Sequence, residues 1–583
     1  MDRIKEFVEK KGVRNTLYIA GLVILMILIF LHVNVGVEVS DTGYSLANFV
    51  KFFSDSGTWV LATFLANFTG AVLTRLPFGS TMLGMQIYSH LMLAVFVAAL
   101  YFYLPKIISR TSTFLGLVMA VCLTWCPKVI LYNYLTYYLF TIAAILIFEA
   151  YKQKKDILLF IAGIILSLSV FVRFPNICEC LLIVPVIYNS VLGKDKFKDI
   201  MRKIALSLGG FFLGAVIISA IIMIIYGPSS YIDMIGSLFG MQSTDSSYSM
   251  RGMIESIVRF YVETLLELGG LLVATVVMAF VYNLVGKNKY VRYLCSSLWV
   301  CVICGYLLYA YKSGFFWRNY NDLTAVRTLA TFLVICSVIA YVIIFFSKKA
   351  DDKIKSLAMI MLIIIIVTPL GSNNALYPVH NNLFLIAPFD CYLLIKSLGK
   401  KDATHYIVNI MCVIVFGLLM LQSVLFGIDY TFKCDGYVKE LEAGFDKGIL
   451  KGMCTNISNK ESLEGIMDYI DEGEYEGRQA ICYGNIPALN YYIGVECPLS
   501  SSWPDLNTVL TYEMMKDEIE NLNEKPMLIY TVAEEEIILN GQEITDKETY
   551  LKEYMNDNEY IKVYNNDEYV IYDIIENTEW RLK

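Results

Sequence analysis

Long apolar runs, each ended by a short polar or basic stretch, fill the first three quarters of the chain, and the last quarter follows a different pattern. A helix needs roughly 20 apolar residues to cross a bilayer. That length divides the apolar region into about thirteen expected spans, near 16–35, 82–104, 112–127, 131–150, 156–172, 177–192, 204–226, 261–284, 292–311, 325–347, 354–370, 380–397 and 405–427. Basic clusters fall between them: Lys106 with Arg110; Lys152, Lys154 and Lys155; Lys194 to Lys203; Lys287 to Arg292; Lys348 with Lys349; and Lys396, Lys400 and Lys401. With alternating spans these clusters and the basic N-terminus share one side, which the positive-inside rule makes cytoplasmic. No small-residue cleavage site follows the first run, so it reads as a retained helix. Loops 36–81, 227–260, 312–324 and 371–380 then lie on the opposite side, and an odd span count carries the C-terminal tail there as well.

The tail has the periodicity of a small α/β domain. Gln479–Tyr483, Pro526–Tyr530 and Tyr569–Tyr572 are short β-rich runs. Residues 505–523 and 546–558 between them have helical spacing. The expected fold class is therefore an α-helical polytopic membrane protein, 1–428, followed by an extracytoplasmic α/β soluble domain, 429–583. Loops at the carboxyl ends of strands in such domains often bind ligands, which singles out Tyr483-Gly484-Asn485-Ile486-Pro487.

Composition agrees: 57% of the 583 residues are hydrophobic and 17% charged, which excludes a soluble globular protein. Charge separates the two parts. Residues 429–583 hold 33 acids against 13 bases, a net −20, and residues 1–428 carry a net +13. An acidic tail argues against nucleic acid as a partner. Ten of the 14 cysteines lie in the apolar part as small hydrophobic residues. Cys434, Cys454, Cys482 and Cys497 lie in the tail, where pairing and free thiols are equally compatible with their spacing. No phosphate-binding Gly-rich loop, His-Glu-x-x-His or Gly-x-Ser-x-Gly occurs, so ATP-driven transport, zinc hydrolysis and serine acyl transfer lack their usual residues. With only four His, a histidine-rich metal site is excluded. Chemistry must rest on carboxylates, cations and aromatics.

The run Val39-Ser40-Asp41-Thr42-Gly43-Tyr44 begins where the first span ends, with Glu38 just before it. An acidic motif after the first helix, many spans and a soluble domain after the last one resemble the GT-C superfamily of membrane glycosyltransferases, and are similar to the protein mannosyltransferases and the lipid A aminoarabinose transferase. Tyr132-Asn133-Tyr134-Leu135 at the start of a span and Arg173-Phe174-Pro175-Asn176 at a hairpin tip add to the resemblance. It implies a hexosyl- or pentosyltransferase in the cell membrane. Its donor would be a sugar on polyprenyl phosphate or diphosphate, used on the outer face, with a cell-wall polymer, surface glycan or protein as acceptor. The residues leave a divalent metal open and name no cofactor.

An acceptor hydroxyl attacking an anomeric carbon must lose its proton, and a positioned carboxylate takes it. Asp41 is the candidate base; its bland alternative is a helix cap beyond the membrane exit. Glu38, three residues earlier, would orient the acceptor, hold a metal or stand as a solvated interface charge. The leaving phosphate calls for cations. Arg173 and Arg318 lead this group, with Arg75, Lys312 and His380 behind them, each balanced against a role in headgroup binding or a structural ion pair. Tyr44, Trp317, Tyr320 and Trp503 are candidates for stacking on sugar, set against the aromatic belts of every membrane interface. Asn133 and Asn373 are further candidates for acceptor or sugar binding. Two other classes use similar chains: a transporter or flippase of lipid-linked glycans, expected to carry mid-span charges and an inverted repeat, and a polysaccharide polymerase or ligase, expected to carry its soluble mass in a late loop.

Overall fold

The computed structural model describes residues 11–574 apart from 54–60, 125, 241–248, 286–287, 314–323, 400–402, 433–437, 474, 476, 508 and 542–543. The apolar part is helical throughout: α1 (Lys11–Phe30), α2 (Asp41–Lys51), α3 (Phe64–Thr74), α4 (Met82–Tyr103), α5 (Arg110–Leu123), α6 (Leu131–Gln153), α7 (Ile157–Val172), a 3₁₀ segment Phe174–Leu182 running into α8 (Ile183–Leu192), α9 (Phe197–Tyr226), α10 (Pro228–Gly240), α11 (Met250–Leu284), α12 (Lys289–Lys312), α13 (Thr324–Phe346), α14 (Asp352–Val367), α15 (Tyr377–Asn381), α16 (Ile386–Leu398) and α17 (Ala403–Asp429). Among the described residues eight stretches are long and apolar enough to cross a membrane: α4, α6, α9, α11, α12, α13, α17 and Phe174–Leu192. The remaining expected spans hold α1, α5, α7, α14 and α16, whose described apolar parts fall short of that length, so the expected count of thirteen is not confirmed by length. The chain is a multi-pass membrane protein.

Small residues set the closest helix contacts. A Cβ on Gly210 of α9 would lie 1.9 Å from the Phe160 carbonyl oxygen, and one on Gly163 of α7 2.1 Å from that of Ser207. Backbones can approach this closely only without side chains between them, which is how helices associate in lipid. Two acids of the bundle are held by hydrogen bonds. Asp390 of α16 accepts from Ser337 Oγ (2.7 Å) and Tyr341 OH (2.6 Å) of α13, and Glu149 at the end of α6 accepts from Tyr103 OH (2.6 Å) and Lys152 Nζ (3.0 Å).

After α17 come a two-stranded β1–β2 pair (Ala443–Gly444, Cys454–Thr455), α18 (Ile457–Glu472), β3 (Ala480–Tyr483), α19 (Leu489–Ile493), α20 (Tyr512–Glu520), β4 (Met527–Thr531), α21 (Val532–Asn540), α22 (Asp546–Asp557), β5 (Tyr560–Asn565) and β6 (Tyr569–Ile574). The main sheet has the order β3-β4-β6-β5, with β3 and β4 parallel, Ile481 opposite Leu528, and the other pairs antiparallel. Every residue of β3 and the first four of β4 are buried, as expected for strands covered on both faces.

This domain sits on the segment that follows α1. Val35 bridges Cys454, with Gly36 N donating to Cys454 O (2.8 Å) and Cys454 N to Asn34 O (2.8 Å). Ala488 N donates to Val39 O (2.9 Å), Tyr492 OH to Glu38 O (2.7 Å), Met82 N to Ile449 O (3.0 Å) and Tyr491 OH to Ser80 O (2.8 Å). One apolar core contains Val37, Leu46 and Phe49 from this segment together with Leu463, Ile486, Leu489 and Ile529 from the domain. The tail is thus built onto the first loop, which positions the acidic motif between the helical bundle and the soluble domain.

Candidate functional site

The site starts from how α2 begins. The first N–H groups of a helix have no partner within it, and here Glu38 supplies one. Its carboxylate accepts from the backbone N of Ser40 (2.9 Å), Asp41 (3.1 Å) and Thr42 (2.6 Å) and from the Ser40 hydroxyl. Glu38 is buried, so the expectation of a solvated interface charge is corrected: its charge is matched by the positive end of α2. The cap that Asp41 was weighed for is therefore made by Glu38, and Asp41 is the first residue of the helix itself. The Asp41 carboxylate is near enough to Tyr132 and Cys126 to act on both electrostatically.

Tyr132 lies in the first turn of α6, and the Arg173 guanidinium lies over its ring at 5.9 Å. Arg173 Nη2 also donates to Gly371 O (2.8 Å), and Gly371 has a left-handed φ of +78°, with space for a Cβ closed by Pro175 at 2.2 Å. Glycine is required at that turn. Asn176 Nδ2 ties the Arg173 corner to α6 and α7 through Thr136 Oγ1 (2.7 Å) and Ser169 O (2.9 Å). Asn133 Nδ2 donates to Cys126 Sγ (3.2 Å). Asp41, Tyr132, Asn133 and Arg173 therefore form one group, with Asn373 half-buried two residues beyond the carbonyl that anchors Arg173.

The soluble domain closes over α2. The Tyr44 and Trp503 rings meet at 5.6 Å and 57°. Burial pushes the Tyr44 hydroxyl up, opposed by a hydrogen bond with Asn48. Gly43 admits the domain: a Cβ there would lie 1.8 Å from Ala488 Cβ and 2.0 Å from its Cα. The Tyr483–Pro487 loop leaves β3 through Gly484 (φ +112°), and Asn485 N donates to Asp505 Oδ2 (2.7 Å), beside Trp503. Burial raises the Asp505 carboxyl. Glu534 of α21 is pushed up to about 7 by burial, then by Glu548 and Asp505. Lys547 Nζ holds the Pro504 carbonyl at 2.6 Å and also that of Leu510, and burial lowers it to about 8.

The other candidates lie elsewhere. Arg75 is exposed at the end of α3, where it donates to Ala71 O (2.7 Å) and covers the Phe53 ring at 4.4 Å. His380 is fully buried in α15, with Nε2 3.2 Å from Thr331 Oγ1, so it faces the bundle interior and not a membrane surface. Lys312 is the exposed last residue of α12. Arg318, Trp317 and Tyr320 lie outside the described residues. Cys454, Cys482 and Cys497 are free thiols. Among the described residues no three His, Cys, Asp or Glu side chains converge as a metal-binding group.

A polar cavity of about 100 Å³ adjoins the acidic motif and went unrecognised in the sequence. Lys128, His32, His90, Gln86, Glu38 and Thr42 line it, with an apolar wall that includes Leu28 and Phe426. Lys128 lies in the short turn between α5 and α6, and burial pulls its ammonium below its ordinary value, against the thiols Cys126 and Cys122. A single Lys inside Cys126-Pro127-Lys128-Val129-Ile130 was the available signal. Counting bases in clusters passes over it.

No protein-family model matches the chain, and no curated protein does either. Among solved structures it is similar to the oligosaccharyltransferase of Archaeoglobus fulgidus, crystallised with zinc and sulfate, at 10% identity over 89% of this chain and 68% of that one, with a TM-score of 0.46.

Proposed function

We propose that this protein is an integral membrane glycosyltransferase of GT-C type that moves a sugar from a polyprenyl phosphate or diphosphate to an acceptor hydroxyl, on the extracytoplasmic face of the cell membrane. The observation that carries the reading is the grouping of Asp41 with Tyr132 and Arg173 under the soluble domain. Because Glu38 caps α2, the Asp41 side chain is not required for the helix start. Asp41 acts as general base on the acceptor hydroxyl as its oxygen attacks the anomeric carbon. The bond from that carbon to the phosphate oxygen breaks, its electron pair goes to the phosphate, and Arg173 stabilises the resulting charge. Tyr44 and Trp503 form the acceptor wall, contributed half by the membrane segment and half by the soluble domain. Basic clusters at the opposite ends of the helices support an extracytoplasmic tail.

The test is transfer by purified protein in liposomes from a panel of polyprenyl-phosphate sugars to cell-wall, glycan and peptide acceptors. Labelled sugar should appear on one acceptor, with Arg173→Ala reducing turnover at saturating acceptor. Translocation of a lipid-linked glycan without transfer would instead assign the chain to the flippase class.

A further inference from the structure

The cavity beside the acidic motif has the chemistry of a site for an amphiphilic phosphate. Lys128, His32 and His90 act on one another electrostatically across it. Among the described residues no carboxylate pairs with Lys128. Lys128 is half-buried in the cavity wall; a cation partly withdrawn from water without a counter-ion is costly, and an anionic ligand relieves that cost. Glu38, which also lines the cavity, does not fill the role, because its oxygens are engaged by the N–H groups of α2.

The histidines add a preference. His90 Nδ1 lies 2.6 Å from Gln86 O and His32 Nε2 2.9 Å from Ile428 O, which assigns the N–H of each neutral ring to that carbonyl. The other ring nitrogen then carries a lone pair and accepts a proton or an O–H. A phosphomonoester, whose second ionisation lies near pH 6, presents both an anionic oxygen for Lys128 and a P–OH for such an acceptor. A phosphodiester presents only the first. Leu28, Ile29, Val121 and Phe426 continue the cavity as an apolar wall between α1, α5 and α17, suited to a hydrocarbon tail.

We infer that this cavity binds the phosphomonoester head of a lipid carrier, the species left when a sugar departs from a monophosphate-linked donor. The anion site stands on the cavity alone; the identification of its lipid as the spent carrier rests on the proposed function.

The experiment measures binding to the full chain in nanodiscs of neutral lipid, using farnesyl phosphate, farnesyl methyl phosphate, inorganic phosphate and phosphatidic acid as probes. Farnesyl phosphate should bind at least tenfold more tightly than the methyl diester or free phosphate. Lys128→Met should weaken it at least tenfold, Lys128→Arg should largely restore it, and His90→Leu should erase the preference over the diester. Asp41→Asn should bind like the wild type, so failure of the catalytic reading leaves this result untouched. Wild-type affinity in Lys128→Met, with thermal unfolding unchanged, would overturn the site. Phosphatidic acid binding as tightly as farnesyl phosphate would overturn the assignment to the spent carrier.

Discussion

Gly43→Ala tests whether the soluble domain is seated on the helix that carries Asp41. A Cβ at position 43 would lie 1.8 Å from Ala488 Cβ, 2.0 Å from its Cα and 2.7 Å from its N. Reaching ordinary carbon contact requires a separation of roughly 2 Å, and because two of the three atoms are backbone, a rotamer change cannot supply it. Overpacking of this kind costs about 1–3 kcal/mol. The strain falls on the hydrogen bond from Ala488 N to Val39 O, now 2.9 Å, and on the Tyr44–Trp503 contact. Hydrogen exchange on the full chain should show faster exchange at Ala488 and through α19, with the transmembrane helices unchanged. A shift of about 1 Å at a catalytic centre costs on the order of a hundredfold in rate, so transfer should fall by that much while donor binding persists. Adding Ala488→Gly should not restore the protein, because the Cα of residue 488 remains in the way. Wild-type exchange in Gly43→Ala, or full rescue by Ala488→Gly, would refute the close approach.

Two further perturbations address the soluble domain. Arg478 holds the buried Asp573 of β6 through two bonds of 3.0 and 3.2 Å, and Arg478→Ala removes both; exchange protection of β6 should fall by about 3 kcal/mol, and a loss under 1 kcal/mol would contradict the pairing. Glu534 is held up at about 7, so the folded domain binds more protons than the unfolded chain between the ordinary Glu value and neutrality. Stability is therefore fully present below the ordinary value and falls as pH rises through about 7, by about 1–2 kcal/mol once solvent screening is included. Thermal unfolding across pH 4.5 to 7.5 should show this slope in the wild type and lose it in Glu534→Gln; an unchanged slope in the variant would dismiss the Glu534 assignment.

The sequence pattern located most of what a period can encode. Apolar runs long enough to cross a bilayer became helices, and the runs ending at Tyr483, Tyr530 and Tyr572 became β3, β4 and β6. The span number is not confirmed, because α5, α7 and α16 are short helices buried against neighbours, and apolar content alone does not separate a covered helix from a crossing one. Strand β5 was illegible: Tyr560–Asn565 includes Lys562, lies at the sheet edge and has no buried residue. Asp41 was legible as an acid at a helix exit. The roles of its neighbours were not, since Glu38 turning inward to cap α2 and Arg173 reaching Gly371 depend on segments brought together from far apart in the chain. Lys128 was passed over because one base in an apolar turn has no pattern, and its significance comes from the cavity around it.

As the proposed general base, Asp41 accepts the proton of the acceptor hydroxyl. Turnover of the full-length protein in liposomes, with the donor and acceptor found in the panel, should be compared between wild type and Asp41→Asn. Asp41→Asn should lose between about a hundredfold and ten-thousandfold in kcat, the range for a lost general base, with unchanged binding of donor and unchanged protection of α2. Full turnover in Asp41→Asn would contradict it.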